Sequence, residues 1–143
     1  MASPKLQSDR IFKYRIALLN SILIIVPLGY TVRFYGAAPE WLNDLFGSLA
    51  YEIFWILLVA LFPQASPFWT AVGVCLATCV LEFLQLWQPP FLQTLRATLP
   101  GRLILGNTFT WSDFPSYFIG SFLGWVWVQT LRLPSRVRKI NGK

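Results

Sequence analysis

Residues 67–87, PFWTAVGVCLATCVLEFLQLW, form an uninterrupted run that is long enough to cross a bilayer as one helix. About 20 mostly apolar residues are needed for such a crossing. Within the run, small or polar residues recur in steps of three and four, at Cys75, Thr78, Cys79, Glu82 and Gln85. Residues with this spacing share one face of a helix. The run therefore predicts a membrane helix with one polar face that is turned toward protein.

Three further apolar runs accompany this one, over residues 16–32, 45–62 and 114–131. The chain has 143 residues, of which 55% are hydrophobic and only 13% are charged. Ordinary soluble domains carry about a quarter charged residues, so this composition excludes that class. We predict an all-α membrane fold, a single domain built as a four-helix transmembrane bundle.

The connection between the third and fourth runs, residues 88–113, is neither short nor plainly polar. Phe91, Leu92, Leu95 and Leu99 recur at helical spacing, which predicts a short interfacial helix that ends near Pro100. A re-entrant dip over residues 103–109 is the alternative, and such backbone must be covered by protein. In either case an interfacial segment separates helices three and four.

Basic residues are concentrated at both chain ends, and the net charge is +6. Short flanks rich in Lys and Arg favour the cytoplasmic side of a membrane. We therefore expect an integral, multi-pass protein with both termini cytoplasmic. This distribution also argues against nucleic acid as a partner, because the positive charges are not arranged along one face of the protein. The residues concerned are Lys5, Arg10, Lys13, Arg15, Arg132, Arg136, Arg138, Lys139 and Lys143.

The sequence contains no histidine, and its two cysteines are Cys75 and Cys79. Histidine-based acid–base catalysis and Cys/His zinc sites are therefore excluded. One CxxxC pair in an apolar helix is typical of packing residues, so we expect no redox role, metal or cofactor. Known hydrolase and nucleotide-binding motifs are missing from the sequence, and nothing in it identifies a catalytic residue.

A second polar stripe occupies the fourth run, at Asp113, Ser116, Tyr117, Gly120, Ser121 and Gly124. Small residues allow close helix contact, so we expect the third and fourth helices to pack together. Gly120 and Gly124 match GxxxG and serve helix packing, either within the bundle or in a dimer. This packing would bring Glu82, Gln85 and Asp113 to one end of the bundle, where the interfacial segment supplies Arg96 and Arg102.

Glu82, Gln85, Arg96, Arg102 and Asp113 are therefore the candidate ligand-binding residues. An arginine fork could hold a lipid phosphate or carboxylate, oriented by Glu82 or Asp113. The alternative is that Glu82 is neutral or paired with an arginine and only ties the loop to the bundle. Proton transfer or catalysis is a third interpretation. The position of Glu52, buried or at the aqueous boundary, is not decided by the sequence.

Two functions follow as expectations. In the first, the protein binds membrane lipids through an anionic lipid or polyprenyl-phosphate head group at its outer surface. In the second, it is a structural or assembly subunit of a larger membrane complex, with other subunits meeting exposed aromatic residues. Those aromatic residues are Phe54, Trp55, Trp125 and Trp127. A carboxylate enzyme or proton-coupled carrier ranks behind both, because we find no internal repeat.

The motifs Glu82-Phe83-Leu84-Gln85, Leu95-Arg96-Ala97-Thr98 and Trp111-Ser112-Asp113 carry a family resemblance. With them, the chain from about Arg15 onward resembles domain-of-unknown-function family 2809. These are small bacterial membrane proteins, sometimes labelled ribosomal maturation YjgA-like. The order of Glu82, Arg96, Asp113 and GxxxG is also similar, more distantly, to VanZ-like proteins, which implies an envelope or lipid role. Asn107 departs from the basic or histidine residue that the first family implies, which would weaken anion binding there.

Overall fold

The computed structural model describes residues 4–62 and 64–137, and this part of the chain is helical with short loops and turns. The basic residues Arg138, Lys139 and Lys143 lie outside the described residues. The helices are α1 (Pro4–Tyr35), α2 (Glu40–Ala60), α3 (Pro67–Leu84), α4 (Pro90–Ala97), α5 (Leu99–Leu105) and α6 (Asp113–Val137). The all-α prediction is confirmed for the described residues.

Three segments, Gln7–Tyr35, Glu40–Ala60 and Pro67–Leu84, are long and apolar enough to cross a membrane. The 25-residue helix α6 has sufficient length but does not belong to this group in the part of the chain that is described. Its inward-facing Ser116, Tyr117 and Ser121 make it less apolar than the others. The coarse prediction of an integral membrane protein is thus supported by three helices.

The first two helices are longer than the runs 16–32 and 45–62. α1 continues to Tyr35 and α2 begins at Glu40, so only residues 36–39 separate them. The two runs leave a loop from Arg33 to Asp44 between them, and these loop bounds are wrong. Both of these residues lie on helices, and their side chains form an ion pair across the α1–α2 junction.

Helix α2 is central and packs most extensively against α1 and α6, while α3 packs against α6 and less closely against α2. The apolar core comprises Leu18, Ile25, Ile53, Ile56, Leu57, Ala60, Ala71, Val74 and Val128. Large apolar side chains also cover the outside, including Leu23, Leu76, Val80, Phe118 and Phe122. Soluble monomers rarely expose such a continuous apolar surface, whereas lipid would solvate it.

Gly120 and Gly124 face α2. A Cβ atom added at Gly120 would lie 2.8 Å from the Cβ of Glu52, and one at Gly124 would lie 2.7 Å from the Cδ1 of Ile56. The missing side chains therefore permit the close approach of α6 to α2. The expected contact between α3 and α6 also exists, but it uses other residues of α6, and the GxxxG pair does not face α3.

The end of the bundle that holds the α2–α3 turn, residues 61–66, is called the turn end. Here Arg132 donates to the carbonyl oxygen of Ala65 at 2.6 Å and to the hydroxyl of Tyr14 at 3.1 Å. Arg15 donates to the carbonyl oxygen of Leu61 at 3.4 Å. These bonds satisfy carbonyl groups that the end of α2 and the turn leave without helical partners. They also fix α1 and α6 to the turn.

The opposite, connector end carries α4 and α5. One helix ending near Pro100 was expected, but the chain breaks at Thr98 and starts a second helix. Thr98 has an extended backbone, and its hydroxyl accepts a hydrogen bond from the N–H of Gly101 at 3.1 Å. A threonine N-cap followed by Pro100 in the first turn favours a new helix, which explains the difference.

Candidate ligand-binding site

Glu82 lies in the last turn of α3 and is 1% exposed. Its Oε1 accepts from the backbone N–H of Thr110 at 2.7 Å, and its Oε2 accepts from Gln85 Nε2 at 2.8 Å and from the hydroxyl of Tyr117 at 2.9 Å. Donors from α3, from the loop before α6 and from α6 thus meet at one carboxyl. This arrangement stabilises a buried carboxylate without a neighbouring cation.

The Gln85 amide is held between Glu82 and Gly106. Gly106 ends α5 with φ +65°, and a Cβ atom there would lie 2.5 Å from Gln85 Nε2. Only glycine combines this backbone conformation with so close an approach. The sequence Leu105-Gly106 therefore brings α5 down onto the buried polar group of α3.

An aromatic cluster holds the loop before α6 against α3. Phe109 and Trp111 lie with ring centroids 4.9 Å apart, and Phe83 lies 5.2 Å from Phe114. Edge-to-face and tilted contacts of this kind add to the apolar burial of the rings. They position the loop so that the backbone N–H of Thr110 points at Glu82.

Asp113 begins α6, just before the expected span 114–131, and its carboxylate accepts a hydrogen bond from the hydroxyl of Ser48 at 3.2 Å. Burial raises the pKa of Asp113, and the nearby charge of Glu82 raises it further; the Ser48 hydrogen bond and Arg33 act in the opposite direction. Asp113 is therefore close to Glu82, but its bonded partner is on α2.

Arg96 is 6% exposed although it carries a full charge. Its Nη2 donates to the carbonyl oxygen of Leu84 at 2.9 Å, and its Nη1 donates to that of Trp87 at 3.2 Å. The last carbonyl groups of a helix lack helical partners, so this guanidinium caps the end of α3 and fixes α4 against it. Its Nε has no hydrogen-bond partner among the described residues.

A polar cavity of about 260 Å³ opens beside Arg96. We call it the polar cavity, and it is lined by Gln88, Gln93, Arg96, Ala97, Arg102 and Asn107. Two lining residues are cationic and none of the lining side chains named here is acidic. The guanidinium of Arg102 is exposed and makes no hydrogen bond or ion pair with the described residues. The cavity therefore presents donors without a matching anion.

The structure divides the expected site residues into two groups. Arg96 and Arg102 line the polar cavity together, whereas Glu82 and Gln85 form a separate buried group. The expected pairing of Glu82 with an arginine is not found in the described part of the chain, where its donors are the groups named above. Glu82 does tie the connecting loop to the bundle, and it does so through a backbone N–H.

Three cavity residues were not selected from the sequence as site residues: Gln88, Gln93 and Asn107. The sequence feature that could have identified them is that they are amide residues in the same interfacial segment as both arginines. Glu52, which the sequence left undecided, is fully buried on α2 and accepts a hydrogen bond from Ser121 at 2.5 Å. The four aromatic residues expected to meet partner subunits are half-buried against the core; Trp127, for example, donates to Ser21 at 3.1 Å.

The comparison with protein families matches residues 37–121 to a family model described as "Protein of unknown function (DUF2809)". The matched region contains α2 to α5 and the start of α6, and with them both buried acids and both cavity arginines. No solved structure matches the chain. The more distant likeness to VanZ-like proteins stays a prediction. Since the match covers more than half of its length, the chain belongs to the DUF2809 family of proteins of unknown function.

Proposed function

We propose that this protein is a multi-pass membrane protein whose polar cavity binds the phosphate-bearing head group of an anionic lipid. One observation carries the proposal: Arg96, a buried cation, lines the cavity with Arg102, and none of the lining residues is acidic. A buried charge is costly unless it is paired, so a site of this kind favours an anion from outside the chain.

The guanidinium of Arg96 is already oriented. Its two Nη atoms are held by the carbonyl oxygens of Leu84 and Trp87, which are neutral groups and leave the positive charge uncompensated. The exposed guanidinium of Arg102, on the same cavity, supplies donors that no described residue occupies. Guanidinium groups suit phosphate oxygens because they present several donors in one plane.

Exposed apolar side chains beside the cavity support a lipid as the source of the phosphate. Phe91, Leu95, Leu99 and Leu103 project from α4 and α5 and are half exposed or more. Apolar residues on short helices that also carry arginines are typical of segments that lie in the head-group region. A lipid phosphate would be present there at high local concentration.

The proposal includes α6 as the fourth spanning helix. It is antiparallel to α3 and packs against both α2 and α3. With basic residues at both termini, the turn end would face the cytoplasm and the connector end the outer side. The polar cavity would then lie at the outer membrane–water boundary.

Within this proposal, Glu82, Gln85 and Asp113 do not touch the ligand. Glu82 and Gln85 hold the loop from Gly106 to Thr110, which carries Asn107 into the cavity wall. Asp113 holds the start of α6 to Ser48. Their role is to position the residues that line the cavity, whereas the arginines bind the head group.

Native mass spectrometry from mild detergent tests the proposal. Wild type and Arg102→Gln are each titrated with phosphatidylglycerol, with phosphatidylcholine and with inorganic phosphate. We expect wild type to prefer phosphatidylglycerol. Loss of one charge-assisted hydrogen bond, about 1.5–3 kcal/mol, should weaken its retention roughly tenfold or more in the variant.

Lys13→Gln is the matched control, because it removes one exposed positive charge near the turn end. It should leave phosphatidylglycerol binding unchanged. Equal retention by wild type and Arg102→Gln would contradict the proposal. If inorganic phosphate bound as well as the lipid did, the ligand would be a free anion instead.

A second function, as a subunit of a larger membrane complex, is favoured by one feature. An apolar groove of about 590 Å³ runs along α2 and α3, between Trp55 and Trp69, with Gly73 and Ala77 on its floor. Small residues in such a groove would accept the side chains of a partner helix. A stable heteromeric assembly in the same native spectra would support this function.

A further inference from the structure

Glu52 is the most deeply placed charged residue of the described bundle. It is 0% exposed and lies twelve residues into α2, which begins at the connector end. At 1.5 Å per residue this is about 18 Å along the helix. Because the hydrocarbon core of a bilayer is about 30 Å thick, the carboxyl lies near its middle.

The surroundings of this carboxyl supply hydroxyl groups and no cation. Ser121 on α6 donates to Oε1 at 2.5 Å, whereas Oε2 is buried without a hydrogen-bond partner among the described residues. The hydroxyl of Thr78 on α3 also faces the carboxyl. Thr78 already donates its proton to the carbonyl oxygens of Val74 at 3.1 Å and Cys75 at 3.0 Å. Neither of these two bonds reaches Glu52, whose Oε2 stays without a partner in the described part of the chain.

The titratable groups around Glu52 do not offer a counter-ion. Tyr51 on α2 and Cys79 on α3 interact with it electrostatically, and Cys79 also interacts with Glu82, one turn further along α3. On α6 the facing residues are Ser121 and Gly120, which has no side chain. An ionised carboxyl here would be close to other acidic groups in a medium that strongly disfavours charge.

Glu52 and Glu82 thus differ in their donor sets. Glu82 receives hydrogen bonds from three donors and has no acceptor to which it could give a proton. Glu52 receives one hydrogen bond, on Oε1, and its Oε2 receives none from the described residues. The first set suits a carboxylate, and the second suits a protonated acid with one carbonyl oxygen and one O–H.

The two sides of Glu52 along the bundle also differ. Toward the connector end lie Ser48, Ser116, Tyr117 and Asp113, which join the interior to the aqueous boundary. Toward the turn end lie Ile56, Leu57, Ala60 and Val128, all 2% exposed or less. Polar side chains are therefore the nearer neighbours of Glu52 along α2 and α6 on the connector side, and apolar ones are on the turn side.

We propose that Glu52 is a proton-binding site at mid-membrane depth, with the proton on Oε2 and exchangeable with water at the connector end. The bound species is a proton taken from water, and no other reactant is needed. Ser121 holds the protonated acid by donating to its carbonyl oxygen, Oε1.

Infrared spectroscopy of the whole chain in lipid nanodiscs tests this proposal. At neutral pH we expect a carbonyl-stretch band of a buried carboxylic acid that shifts on transfer to D₂O. The band should be missing in Glu52→Gln, which keeps the shape of the side chain and an acceptor for Ser121. It should persist in Glu40→Gln, an exposed acid of the same helix.

Ser121→Ala keeps the test decisive if Glu52→Gln does not fold. This variant retains the acid but removes the donor to its carbonyl oxygen, so the band should move to higher frequency. A band that stays in place in Ser121→Ala, or that persists in Glu52→Gln, overturns the proposal. It is also overturned by a carboxylate spectrum that depends on sodium, which would indicate a metal cation at Oε2.

Discussion

Tyr117 on α6 donates a hydrogen bond to Glu82 on α3, with its Oη 2.9 Å from Oε2, and both side chains are buried. The same carboxyl also accepts from the backbone N–H of Thr110, which lies in the loop before α6, 28 residues after Glu82. One acid therefore fixes two helices and their connection at the end of the bundle that carries the polar cavity.

Replacing Tyr117 with Phe removes this donor while the aromatic ring remains. We expect Tyr117→Phe to lower the free energy of unfolding by about 1–2 kcal/mol, since hydrogen bonds to charged groups exceed neutral ones but are moderate between membrane helices. Thermal unfolding in detergent measures the effect. Tyr30→Phe deletes the same atom at an exposed position and should change nothing; equal melting temperatures for both variants would contradict the assigned role.

Three of the four apolar runs and the polar faces of α3 and α6 could be predicted, because apolar run length and a period of three to four are local properties of the sequence. The partners of Glu82 could not. Its contact with Thr110 uses a backbone N–H, which every residue except proline possesses, so the sequence carries no mark of it.

The hydrogen-bond partners of Arg96 could not be predicted either. A carboxylate seemed the natural partner of a guanidinium, but the carbonyl oxygens of Leu84 and Trp87 were equally in need of donors. The burial of Glu52 could not be predicted because the start of α2 was misplaced. The helix begins at Glu40 rather than near residue 45, so this acid lies further from the helix end.

Gly106→Ala tests the close approach of α5 to Gln85. The new Cβ would lie 2.5 Å from Gln85 Nε2, and the backbone at φ +65° is unfavourable for alanine. We expect a loss of about 1–3 kcal/mol from strain and from displacement of the amide. Hydrogen–deuterium exchange should rise at Thr110, because Gln85 would no longer support Glu82.

Gly73→Ala is the matched control for that substitution. Nothing lies within 4 Å of a Cβ atom at Gly73, which is in the interior of α3 and lines the apolar groove. Alanine should stabilise the helix there by about 0.5–1 kcal/mol. A result in which both variants melt at the same temperature would show that Gly106 is not held as the structure indicates.

The GxxxG pair should respond unequally to alanine. At Gly120 the new Cβ would meet the Cβ of Glu52 at 2.8 Å and the carbonyl oxygen of Leu49 at 3.3 Å, and neither can move without the α2 backbone. At Gly124 it would meet the Cδ1 of Ile56 at 2.7 Å, which is the far end of a flexible side chain. We therefore expect Gly120→Ala to lower the melting temperature more than Gly124→Ala, and the reverse order would contradict the packing of α6 on α2.

Arg96 and Arg102 line the same cavity but should differ in their effect on stability. Arg96→Gln removes two hydrogen bonds from a charged donor, one to Leu84 at the end of α3 and one to Trp87 just after it. Each is worth about 1.5–3 kcal/mol in other proteins, although relief of the buried charge offsets part of the loss. Arg102→Gln removes an equal charge from an exposed side chain and should leave the melting temperature unchanged. Thermal unfolding without added lipid separates this structural role from ligand binding.

Added phosphatidylglycerol should raise the melting temperature of wild type more than that of Arg102→Gln, because a ligand that binds more tightly stabilises the folded state more. If Arg96→Gln melted like wild type without lipid, the guanidinium would not cap α3, and its fixed orientation in the cavity would lose its physical basis.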